Sequence, residues 1–142
     1  MSAKWILILG AVLGASGVAL GAYHAHGLEK QLGSQELTPD EVAKRIDQFG
    51  TGVRYQMYHA LALMLVGIMA CRADNRWLSA STVAIALGVV LFSGMLYRLG
   101  LTGEQFHVLL IPAGGVSYIV GWCLLAVAIA RTDLCGAAGA EK

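Results

Sequence analysis

Between Trp5 and Tyr23 the chain carries no charged side chain, and Gly10, Gly14, Gly17 and Gly21 recur there at spacings of four, three and four. As a helix rising 1.5 Å per residue, this run covers roughly 28 Å, about the hydrocarbon thickness of a bilayer. The spacing sets the four glycines on one face. That face is a groove without side chains, of the kind along which helices approach closely in lipid. Isoleucine at Gly14 or Gly17 is expected to overfill it.

Three further apolar runs follow, at about 55–70, 77–97 and 107–130. Ala80, Ala84 and Gly88 form a small-residue face on the third, and Gly114, Gly115, Ser117 and Gly121 form one on the fourth. Only 13% of the 142 residues are charged, against about 25% in a soluble domain. The mean hydropathy is +0.65. Together these predict an all-α integral membrane protein, a four-helix transmembrane bundle forming a single domain over 1–142. Lys4 before an apolar stretch resembles a signal peptide, but the length of the run and its glycine groove read as a retained helix. A net charge of +1 leaves no footprint for nucleic acid. Cys71, Cys123 and Cys135 include no close pair, so neither a zinc site nor a redox motif is expected.

The one long polar segment runs from Leu28 to Asp47. Within it, Thr38-Pro39-Asp40-Glu41 combines a capping hydroxyl, a proline at the first helical position and two acids at the positive end of the dipole. Val42, Ile46, Phe49 and Val53 then continue as one apolar stripe. This predicts an amphipathic helix at about 39–53, lying on the membrane surface or over the bundle. Gly50 and Gly52 would permit a bend before the second span, and Gly100 and Gly103 would break the chain in the loop 99–105. Pro112 suits the first turns of the fourth span.

Four spans place both termini on one side. Lysines and arginines are equally numerous on the two sides, but Arg72 and Arg76 lie in a short turn that flanks spans directly. The rule that weighs basic residues near span ends therefore puts the termini in the cytoplasm, with the bacterial inner (plasma) membrane as the location.

Alternation of the spans also gathers His24, His26, His59 and His107 at one membrane face, with Arg54, Gln56, Tyr58, Tyr97, Arg98, Glu104 and Gln105. Polar groups at membrane depth are expensive and usually paired. Three readings compete for them. The first is a hydrogen-bonded network across helices. The second is a site for a small ligand or lipid headgroup, with Arg54 and Arg98 as anion anchors. The third is a metal or haem site. His24 and His26 diverge on a continuous helix, and a triad of His26, His59 and His107 has no carboxylate placed to orient it except Glu104 on a loop. No nucleophile motif and no pair of carboxylates within a span supports catalysis. No cofactor is expected.

Four blocks carry a family resemblance: Gly21-Ala22-Tyr23-His24-Ala25-His26-Gly27-Leu28, Thr51 to Ala62, Leu91 to Tyr97, and Pro112 to Trp122. The chain resembles domain-of-unknown-function family 423, which includes the vertebrate transmembrane protein 256. The resemblance implies a small integral membrane protein without an established activity, in which His26 and His59 correspond to the family's motif histidines. His24 departs from the glycine usual in that pattern, and Ile111 from the threonine usual before the proline. The function expected is that of a non-enzymatic accessory or structural component of a membrane complex, with the lipid bilayer and other subunits or further copies of itself as partners. The alternative is binding of a lipid, quinone or similar amphiphile at the polar face.

Overall fold

The computed structural model describes residues 1–73, 75–104 and 107–132. Asp74, Gln105, Phe106 and the segment 133–142, with Cys135 and the end of the expected domain, lie outside the described residues. All regular structure among the described residues is helical: α1 (Ala3–His26), α2 (Leu28–Gly33), α3 (Pro39–Ala70), α4 (Arg76–Gly88), a π-helical turn (Val89–Gly94), α5 (Met95–Thr102) and α6 (Leu110–Ala130). From α4 to α5 the rod is continuous over Arg76–Thr102. Three helices are long and apolar enough to cross a membrane: Ala3–His26, Arg76–Thr102 and Leu110–Ala130. α3 is not among them; the polar Arg54 to His59 stretch lowers the hydropathy of its otherwise apolar second half.

α3 begins as its sequence dictates. Thr38 caps it, accepting from the Glu41 amide at 3.3 Å while the Glu41 carboxylate accepts from the Thr38 amide at 2.9 Å, a reciprocal capping box. Those bonds hold the Glu41 carboxyl below the ordinary glutamate range. Gly50 and Gly52, which would permit a bend, do not interrupt the helix: α3 is continuous through both, so the amphipathic segment and the second apolar run are one helix. The two glycines serve close approach instead. A Cβ on Gly50 would lie 2.7 Å from His24 Nε2, and one on Gly52 would lie 2.8 Å from the Tyr97 ring. Gly100 likewise sits inside α5 against the Arg45 carbonyl and Phe49, and only Gly103, with φ +71°, ends that helix in the left-handed conformation that suits glycine.

α1 lies antiparallel on α3: Leu7 meets Gly67, Gly10 meets Ala60 and Met64, Gly17 meets Met57, and His24 meets Gly50. The groove meets α3 at Gly10, Gly17 and Gly21. At Gly14 an added Cβ would meet nothing within 4 Å. α4 and α6 form the second close pair. Gly121 lets α6 approach Ile85, Ser81 Oγ donates to the Gly121 carbonyl at 2.8 Å, and Ser117 Oγ donates to the Ala84 carbonyl at 2.8 Å. Both pairs contribute to one core, in which Ile6, Leu63, Val66, Leu78, Ile85 and Leu125 are buried. A second, smaller core forms where α2 folds back, with Leu28, Leu32 and Phe49 fully buried.

Candidate functional site

The residues expected at one membrane face divide into two groups. The cause is the uninterrupted α3. Its polar stretch is carried down beside Gly17 and Leu13 of α1 instead of standing next to His26.

The deeper group is a network across four helices, α1, α3, the α4–α5 rod and α6. Gln56 is 3% exposed. Its amide nitrogen donates to the Leu13 carbonyl at 2.8 Å and to Ser16 Oγ at 2.9 Å, and its oxygen accepts from the Tyr97 hydroxyl at 2.8 Å. One turn along α3, His59 is 4% exposed. Its Nδ1 lies 2.7 Å from the Tyr55 carbonyl, and its Nε2 accepts from the Trp122 indole N–H at 3.2 Å. An acceptor at Nε2 and a carbonyl opposite Nδ1 require the proton on Nδ1, so the ring is a neutral imidazole with both nitrogens engaged. Tyr118 stacks on it with centroids 3.5 Å apart, and its hydroxyl pairs with Ser93 Oγ at 3.1 Å. Tyr55 and Phe92 close the aromatic group, with their centroids 4.7 Å apart. Tyr118 and Trp122 sit one turn apart on α6 and were hidden in a charge-free run; the only signal for them was an aromatic pair at helical spacing.

The π-helical turn holds these two clusters together. It carries Ser93, which is fully buried, and it is flanked by glycines from both sides. Gly52 of α3 faces the Ser93 carbonyl, and Gly114 of α6 faces the Phe92 backbone. Wide turns of this kind recur at functional positions in helices.

The second group is exposed. His26 ends α1 at the surface, and among the described residues no hydrogen bond to its ring is seen. Tyr58 is 59% exposed, with its ring centroid 6.2 Å from that of Tyr55. Arg54 pairs with Asp47 at 3.5 Å and donates to Thr51 at 2.7 Å, and Arg98 pairs with Glu104 at 3.4 Å. His107 is exposed before α6. His24, outside the motif, donates from Nε2 to the Ile46 carbonyl at 3.1 Å through the space left by Gly50. Thus His26, His59 and His107 do not converge, and among the described residues no group of three histidines, cysteines or carboxylates is placed to hold a metal.

Long apolar helices, close glycine crossings and polar groups joined helix to helix at depth define a small all-helical membrane protein. The chain belongs to the family described as "Protein of unknown function (DUF423)", which it matches over residues 20–115. It is 37% identical over 131 residues to the UPF0382 inner membrane protein YgdD of Escherichia coli strain K12, covering 92% of this chain and 93% of the relative. It is also 37% identical to the UPF0382 membrane protein YwdK of Bacillus subtilis strain 168, covering 90% and 98%. A UPF0382 membrane protein of Haemophilus influenzae is 38% identical over 120 residues. No solved structure matches the chain.

Proposed function

We propose that the protein is a non-enzymatic structural or accessory component of a membrane complex, built as a single four-span domain in the bacterial inner membrane with α3 as the remaining span. The observation that carries this reading is the saturation of the deep polar groups. Both His59 nitrogens and both ends of the Gln56 amide are engaged by other helices or by carbonyls. Groups so engaged join helices, and have no free valence with which to grip a substrate. The long outward faces support a partner: Val12 and Val18 on α1, and Val116 and Ile119 on α6, are each more than half exposed.

Gentle extraction from the native membrane followed by intact native mass measurement tests the reading. The expected result is an assembly heavier than one chain that contains other polypeptides. A single chain carrying a discrete small adduct would replace it with the amphiphile-binding reading. One observation favours that second reading: Tyr55, Tyr58 and Trp122 present ring surface 40–59% exposed beside His59, a face that a quinone or lipid tail could cover.

The termini are assigned to the cytoplasm, because Arg72, Arg76 and Arg131 flank span ends directly. A single cysteine placed at Ser34 in a cysteine-free background is then labelled by an impermeant reagent in intact cells. Protection of that cysteine reverses the orientation.

A further inference from the structure

The two ends of the bundle differ in how their cations are balanced. At the α2 end stand Lys30, Lys44, Arg45, Arg54 and Arg98 with six acids, Glu29, Glu36, Asp40, Glu41, Asp47 and Glu104. Arg54 and Arg98 both hold a carboxylate there. At the other end stand Lys4, Arg72, Arg76 and Arg131, and among the described residues no aspartate or glutamate accompanies them. Asp74 and Asp133, the acids nearest in sequence, lie outside the described residues; counting both still leaves two cations in excess.

Two of these cations are held on one ring. The Arg76 guanidinium carbon lies 5.2 Å from the Trp77 ring centroid, and that of Arg131 lies 5.1 Å from the same centroid. The two carbons are therefore no more than about 10 Å apart, close to the Debye length of about 8 Å at physiological salt, so their repulsion is only partly screened. The indole face attracts each of them, but it carries no net charge to offset the pair. The residues come from different helices, Arg76 from the first turn of α4 and Arg131 from the end of α6, so the core shared by α4 and α6 fixes their approach. A pair of guanidiniums with ten N–H donors and, among the described residues, no carboxylate beside them is the recognition chemistry of a phosphate. Trp77 stands at the end of a membrane-crossing helix, where tryptophan sits at headgroup level and where the bilayer itself presents phosphates.

We infer that Arg76 and Arg131, held over Trp77, form a site for the phosphate of an anionic phospholipid headgroup, with Arg72 and Lys4 enriching the surrounding surface in that lipid. The site lies at the opposite end of the bundle from Arg54 and Arg98, and it stands whether or not the protein has polypeptide partners.

The test uses the full chain, purified and delipidated, in a zwitterionic phosphatidylcholine bilayer disc into which phosphatidylglycerol is titrated. Bound lipid is counted by native mass spectrometry. Wild type is expected to retain phosphatidylglycerol in preference to phosphatidylcholine, and R76Q/R131Q to lower that preference roughly tenfold. R54Q/R98Q, altered at the other end, should leave it in place. R131Q alone changes an exposed side chain just beyond α6 and keeps the test open if the double variant does not fold; it should lower the preference in part. An unchanged preference in R76Q/R131Q or in R131Q, or an equal loss in R54Q/R98Q, overturns the site. Millimolar inorganic phosphate is the last arm. Displacement of the lipid by it overturns the lipid assignment in favour of free phosphate, and persistence of the lipid supports the headgroup.

Discussion

Gly114→Ala should destabilise the bundle by about 3 kcal/mol, at the upper end of what one inserted methyl costs in a filled core. A Cβ at this position would stand 2.5 Å from the Phe92 nitrogen and 2.8 Å from the Leu91 carbonyl carbon. Both are backbone atoms of the π-helical turn, and that turn is backed by Gly52 of α3 on another side, so it has no free direction in which to withdraw. Gly88→Ala is the informative comparison. Its Cβ would run into the Tyr118 ring, but a ring can swing. The cost there should be smaller, and it should appear as loosening of the His59–Tyr118 stack. Gly14→Ala is the control. Nothing lies within 4 Å of its added carbon, and alanine is the better helix former by up to about 1 kcal/mol, so this variant should be neutral or slightly more stable. Thermal unfolding of the three variants in one detergent measures the order. If Gly114→Ala unfolds no earlier than Gly14→Ala, the close crossing of α6 over the wide turn is wrong.

These glycines also show what the sequence could and could not carry. A glycine every three or four residues in an apolar run announces a helix crossing, and at Gly10, Gly17 and Gly121 the structure puts a neighbouring helix there. It does not say which glycines of a row meet a neighbour: Gly14 has the same spacing as Gly17 and faces open space. Gly50, Gly52 and Gly100 fit a bend or a loop equally well by local chemistry, because the residue that permits a turn is also the one that permits contact. Only the positions of His24, Tyr97 and Phe49 in three dimensions decide the matter. The continuous α3 sets His59 beside α6, stacked on Tyr118. Thr38 was legible for the opposite reason, since a cap needs only residues three apart, and all of its partners are local. The π-helical turn left no mark, because Val89 to Phe92 is as apolar in an α-helix as in a wider one.

The role of the deep network is where the two functional readings separate, and Gln56→Leu is the variant that separates them. Leucine nearly matches glutamine in volume, so the change removes hydrogen bonds without opening a cavity. It deletes the bonds to Leu13, Ser16 and Tyr97. The Leu13 carbonyl still accepts from Ser16 Oγ at 3.1 Å, so the loss falls mainly on the half-buried Tyr97 hydroxyl, left without its acceptor in an apolar interior. With interhelical hydrogen bonds in lipid averaging about 0.6 kcal/mol and an orphaned buried donor costing about 1–3 kcal/mol, the total should be about 2–3 kcal/mol. Removing the orphan should return part of it. Tyr97→Phe should be destabilising in the wild type, where it strands the Gln56 oxygen, yet recover about 1 kcal/mol in the Gln56→Leu background. That sign reversal is the signature of two groups acting on each other. A network that only joins helices produces the reversal, and it leaves any co-purifying molecule unchanged at matched stability. If the two substitutions add independently while a bound molecule is lost, the amide is serving a ligand, and the amphiphile reading takes the place of the structural one.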